Sequence, residues 1–66
     1  MEVTIVVSGE EKDINLVKGE TVSDVLKKAE INPETVIVKK NKTIIPDDEE
    51  VKDGDTLYVL KVVSGG

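Results

Sequence analysis

The residues whose type and spacing point to chemistry are Ser64-Gly65-Gly66, which follow a largely apolar run, Leu57 to Val63. Paired glycines are a poor end for a packed element. Glycine loses the most backbone entropy on ordering and has no side chain to bury. They suit an arm that presents a carboxylate. Gly65 and Gly66 carry no Cβ, so a narrow channel can close around the backbone, and Ser64 is also small. Three extended residues reach about 10 Å at ~3.3 Å per residue. A carboxylate is itself a poor electrophile. It becomes reactive once one oxygen is made a leaving group, and acyl-adenylation does this. Gly66 would carry that carboxylate, with Gly65 and Ser64 behind it. The alternative is a frayed terminus or a scar left by expression.

Such an arm needs a compact body to hold it. Sixty-six residues make one domain. A chain of this size buries only about 60% of its unfolded surface. That leaves no room for a deep pocket with a catalytic shell, so a binding or carrier module is expected rather than an enzyme. The chain has no cysteine and no histidine. This removes disulfides, thiolate metal sites and the commonest general base. No apolar run approaches the roughly 18 residues of a membrane span. The start, Met1-Glu2-Val3-Thr4, does not resemble a secretory signal, so a cytoplasmic protein is expected.

Nine lysines stand against fourteen acidic residues, a net charge of −5, and Tyr58 is the single aromatic residue. Nucleic acid is therefore not an expected partner, since both the basic stripe and the stacking platforms are missing. The acidic balance suits a basic docking surface on a protein.

The elements follow from pattern. Val3–Val7 is β-branched and reads as a strand. Ser8-Gly9-Glu10-Glu11 reads as a turn, and Lys12–Leu16 alternates as a half-buried strand. Val3, Ile5 and Val7 should face the core beside Ile14 and Leu16. Thr21 fits an N-cap with Asp24 in a capping-box position. Val22, Val25, Leu26 and Ala29 form one helical face, giving a helix over Thr21–Ile31 closed by Asn32-Pro33. Val36–Lys40 and Thr43–Ile45 are short strands around an Asn41-Lys42 turn. Asp47–Glu50 is a solvated loop or one helical turn, with Val51 tucked inward. Asp53-Gly54-Asp55 is a tight turn, and Thr56–Val63 is the last and longest strand.

One helix has one apolar face and needs one sheet face to bury it. The expected fold is α+β: a single mixed sheet of four to five strands with one helix across it. The last strand should return beside the first, which is a β-grasp arrangement. The domain should span residues 1–63, with a Ser-Gly-Gly tail at 64–66.

Several motifs fail. An EF-hand registered on Gly54 would need oxygen ligands at Val51 and Leu60, so no metal site is expected. Asn41-Lys42-Thr43 matches a glycosylation sequon but reads as a turn. No phosphate-binding glycine loop is present, and nothing places paired carboxylates in a water-excluded site.

Alternation also suggests a docking surface. If Leu57 and Val59 face the helix, then Tyr58, Leu60 and Val62 face away, joined by Val6 and Ile37. An uncovered face with five apolar residues tends to be an interface. The alternative is that the long stems of Lys39 and Lys61 cover it.

The segment Val36–Pro46 resembles the short strand, Asn turn, short strand and Pro of the thiamin-type sulfur carriers. Asp53-Gly54-Asp55, the apolar strand after it and Ser64-Gly65-Gly66 resemble their C-terminal half. The chain resembles the ThiS/MoaD sulfur carriers of the ubiquitin-like β-grasp superfamily, over its whole length in topology and over residues 36–66 in motif. The resemblance implies that an E1-like enzyme adenylates the Gly66 carboxylate with ATP and Mg²⁺, none of it bound by the chain itself. A sulfur donor then yields a thiocarboxylate, which supplies an acceptor enzyme in thiamin, molybdopterin or tRNA thiolation. A ubiquitin-like modifier, with Gly66 in an isopeptide bond to lysine, is the competing reading.

Overall fold

A computed structural model describes residues 1–62. Val63 and the proposed boundary between body and tail lie outside the described residues. The elements are β1 (Glu2–Val7), β2 (Glu10–Asn15), α1 (Val22–Lys28), a 3-10 turn (Pro33–Thr35), β3 (Val36–Lys40), β4 (Thr43–Ile45) and β5 (Thr56–Lys61). They form one five-stranded sheet in the order β2-β1-β5-β3-β4. β1 and β5 are parallel, and the other pairs are antiparallel. This is the expected β-grasp, with the last strand in mid-sheet beside the first.

The β1–β2 hairpin is tighter than the sequence suggests. Val7 pairs with Glu10, so the turn holds only Ser8 and Gly9, at φ 51° and 79°. Glu10 and Glu11 therefore belong to β2. As an edge strand β2 tolerates charges that an inner strand would not. The β3–β4 turn has the same form, with Asn41 and Lys42 at φ 52° and 66° between the pair Lys40 and Thr43. Glycine is the favoured second residue of such a turn, since a side chain at positive φ crowds the following carbonyl.

The helix buries Val22, Val25 and Leu26 against Val3, Ile5, Leu57 and Val59, while Ala29 is half-buried at its end. It stops at Lys28, short of the expected Ile31. Glu30 turns left-handed at φ 61°, the Ile31 N–H donates to the Leu26 carbonyl at 2.8 Å, and the Glu30 N–H donates to Lys27 at 3.1 Å. This reverse-turn cap satisfies the last carbonyls before Asn32-Pro33 is reached. Asn32 instead caps the 3-10 turn, accepting from the Glu34 N–H at 3.0 Å.

The acidic segment 47–50 forms no helical turn. Its backbone serves α1: the Ser23 and Val22 N–H groups donate to the carbonyls of Asp47 and Glu49 at 2.8 and 2.9 Å. These are donors that a helix start leaves without intrahelical partners. Val51 follows, fully inside the core as expected. Gly54 takes φ 85°, and its N–H donates to the Glu2 carbonyl at 2.8 Å.

The Asp24 carboxylate accepts from the Thr21 N–H at 2.9 Å and from its hydroxyl at 3.2 Å. The backbone bond, chiefly, holds the Asp24 carboxyl below its ordinary range, with smaller help from the Thr21 hydroxyl, Lys27 and Lys28 against the opposing effect of burial. A carboxylate with a depressed folded pKa stabilises the fold above its unfolded pKa of about 3.9 and loses that contribution as pH falls through the folded value. Asp24→Asn is thus expected to be less stable than the parent at neutral pH. The difference should close as pH drops below the ordinary Asp range. Urea unfolding across pH 2–7 (about five points suffices) checks this; a gap that persists at the acid end would remove the assigned role.

Candidate functional site

With the helix on one side, the other side of the sheet is open. The pairing register sets which residues share it. Val6 lies opposite Tyr58, Ile37 opposite Leu60, and Lys39 between Tyr58 and Ile44. Directly paired residues project to the same face. Tyr58 and Leu60 are 48% and 47% exposed, Val62 is exposed, and Val6 and Ile37 are half-buried between them. The structure therefore brings Val6, Ile37, Tyr58 and Leu60 to one outer face, with exposed Val62 just past the end of β5.

Two features of this face go beyond the sequence reading. Ile44 belongs to it and is its most exposed apolar residue, at 63%. The parity of β4 carries that signal, since Ile45 packs on the core and its neighbour must point away. The second is a shallow groove at the start of β5, between the β3–β4 turn and the strand. Lys39, Lys40, Lys42, Thr56, Tyr58 and Leu60 line it. Of the two lysines considered as covers, only Lys39 lies on this side. Lys61 pairs with Val36, a residue packed toward the helix, and so projects to the opposite face.

The chain leaves the sheet at Val62, whose N–H donates to the Thr35 carbonyl at 2.9 Å. β5 runs parallel to β1, so this exit is at the sheet end that carries the Ser8-Gly9 turn. Tyr58, Leu60 and Val62 thus form a strip along β5 that leads from the lysine-lined groove to the exit. The Ser64, Gly65 and Gly66 assignments fall outside the described residues.

Among the described residues no cluster of acidic side chains is arranged to hold a metal ion. No helix there is long and apolar enough to cross a membrane. The lowered pKa of Asp24 comes from helix capping and marks no reactive group.

A five-stranded mixed sheet grasping one helix, with an open apolar face leading to the chain exit, defines a ubiquitin-like β-grasp protein. Ubiquitin from Caldiarchaeum subterraneum superimposes over 100% of this chain and 98% of its own, with a TM-score of 0.73 and 22% identity. A putative molybdopterin converting factor subunit 1 from Pyrococcus furiosus covers 94% of this chain and 98% of its own, with a TM-score of 0.75 and 21% identity. These likenesses show the shared fold. In sequence, the sulfur carrier protein TtuB of Thermus thermophilus is 33% identical over 57 residues, 86% of this chain and 88% of TtuB. An uncharacterized protein of Archaeoglobus fulgidus is 38% identical over 58 residues, 86% of this chain and 85% of that protein. The ThiS family model matches residues 3–66, and the chain belongs to the ThiS family. It is a sulfur carrier of that family, activated at its C-terminus.

Proposed function

We propose that Gly66 is the residue whose carboxylate is activated and that the outer sheet face docks the activating enzyme. The observation that carries the first part is the family match, which runs through Ser64-Gly65-Gly66. In the reaction a Gly66 carboxylate oxygen attacks the α-phosphate of ATP, held with Mg²⁺ by the E1-like enzyme, and pyrophosphate leaves. Hydrosulfide then attacks the acyl carbon and AMP leaves; where the donor is a persulfide, an acyl disulfide forms first and a reducing thiol cleaves its S–S bond. The resulting thiocarboxylate supplies an acceptor enzyme in thiamin, molybdopterin or tRNA thiolation in the cytoplasm.

Intact mass spectrometry of the protein from its native host tests this. Replacement of one terminal oxygen by sulfur is the expected mass change. Branched Gly-Gly remnants on lysines of other proteins, with no thiocarboxylate, would instead make the chain a modifier.

Exposure and register support the second part: Val6, Ile37, Tyr58, Leu60 and Val62 form the contact. Leu60→Asp is expected to speed dissociation from the enzyme by at least about tenfold, because it buries an unpaired charge in a desolvated contact. The fold should survive, since Leu60 is 47% exposed. Stopped-flow binding with circular dichroism as control decides it. Unchanged dissociation of folded Leu60→Asp would remove the outer face as the docking site.

A further inference from the structure

The outer face is electrically divided. On one flank, β2 places Glu11 opposite Val6 and Asp13 opposite Thr4. The Thr4 hydroxyl donates to Asp13 Oδ1 at 2.9 Å, which fixes that carboxylate on the open side. On the other flank are Lys39 and the lysines of the groove. Lys40 is paired with Asp55 at 3.3 Å, whereas Lys39 and Lys42 have no ion pair among the described residues. Between the flanks runs the apolar strip of Val6, Tyr58 and Leu60. β2 and β3 are separated by β1 and β5, so the flanks lie roughly 14 Å apart at ~4.8 Å per strand. This exceeds the Debye length of about 8 Å at physiological salt. A docking surface therefore meets two separate patches of opposite sign, not the averaged acidity of the chain.

The turn sequence adds a second observation. Lys42 occupies the left-handed position at φ 66° where glycine is favoured, and it lines the groove. The turn thus carries an ammonium group at the groove's lip in place of its least strained residue. The acidic segment 47–50, by contrast, spends its backbone on the helix N-terminus and lies on the helix side of the sheet.

We propose that the activating enzyme reads this face in a single orientation, through a surface that is acidic over the β3–β4 turn and basic over β2. The proposal rests on the outer-face docking described above and adds its polarity. Turning the partner end for end across the strands would set acid on acid and lysine on its own kind, which disfavours the wrong orientation. The basic groove lies at the opposite end of the strip from the chain exit.

The test is association kinetics with the activating enzyme isolated from the native host, at low and moderate salt. Lys39→Glu with Lys42→Glu makes the chain more acidic. A partner responding to net charge would bind it faster. The divided face expects association about tenfold slower at low salt, with the loss shrinking as salt is raised. Glu11→Lys, which makes the chain less acidic, is expected to slow association as well. Lys42→Gly relieves the left-handed position, so it should fold at least as well as the parent and still associate more slowly. Unchanged or faster association of Lys39→Glu/Lys42→Glu, with Leu60→Asp still speeding dissociation, overturns the polarity and leaves the docking face standing. A silent Leu60→Asp overturns both. Sedimentation velocity covers the remaining occupant. Self-association lost in Lys39→Glu/Lys42→Glu, with enzyme association unaffected, would make a second copy of this chain the partner and overturn the proposal.

Discussion

Deletion of Gly66 is expected to abolish ATP-dependent adenylation and leave the thermal midpoint within about 2 °C of the parent, a shift well under 1 kcal/mol for a domain of this size. The deletion still leaves a carboxylate, now on Gly65. What changes is reach, by ~3.3 Å for one extended residue. Attack on a phosphate requires reacting atoms about 3–3.5 Å apart, and a misplacement of 1 Å can cost about a hundredfold. A shortfall several times larger removes the reaction unless the whole body shifts in its docking site. The stability side follows from the core. Its ten buried apolar residues among those described run from Val3 to Val59, and a glycine has no side chain to add to them. Gly65→Val is the companion variant. It keeps the reach but adds a branched side chain to the arm, and it should impair activation without altering stability. Pyrophosphate release with the activating enzyme, beside a thermal melt, reads both variants. Full activation of the Gly66 deletion would discard the carrier and modifier readings together.

Most of the body is legible in the sequence, and the exceptions have local causes. β3 and β4 lie at the expected residues because each is a β-branched run bounded by turn-forming residues. The register of the outer face follows from strict alternation along β5, which buries Leu57 and Val59 and exposes Tyr58 and Leu60. The expectation that β5 is the longest strand is not met among the described residues, where it equals β1 and β2 at six residues. Pattern alone starts β2 two residues late because Glu10 and Glu11 have low strand propensity, and only the two-residue turn at Ser8-Gly9 forces them into pairing. Pattern alone also carries the helix three residues too far, because its stop is a left-handed Glu30, a residue type that gives no such warning.

Other features arise only from spatial neighbourhood. The carbonyls of Asp47 and Glu49 complete the start of α1 from more than twenty positions away, and no local pattern announces that. The groove likewise joins the end of β3 to the start of β5, and the opposite flank comes from β2. Net charge is a sum over the chain and erases this division. The acidic total of −5 predicts a uniformly basic partner, whereas the open face presents lysines at one side and carboxylates at the other.

Leu26→Ala is expected to cost about 2–5 kcal/mol, the range for removing a large aliphatic side chain from a closed core. A 66-residue chain has a total stability of roughly 3–10 kcal/mol at about 0.05–0.15 kcal/mol per residue. The substitution should therefore consume a large share of it. Three observations place the cost toward the upper half. Leu26 is 1% exposed. It belongs to the cluster that joins α1 to Val3, Ile5 and Leu57, so the cavity would open between layers. Its carbonyl also accepts the Ile31 N–H at 2.8 Å, and half-buried Ile31 packs on the same core at the helix end. A contact between these positions commonly accompanies this kind of cap, so truncation would loosen the stop as well as the core. Relaxation is limited, because the single helix is held at its start by the 47–50 backbone and at its end by the cap. Lys27→Ala, on the exposed side of the next position, is the control and should stay within about 0.5 kcal/mol. Urea unfolding reads both, with a lower midpoint and an unchanged slope expected for Leu26→Ala. A loss below about 1 kcal/mol would mean that the helix is not the element that closes this core.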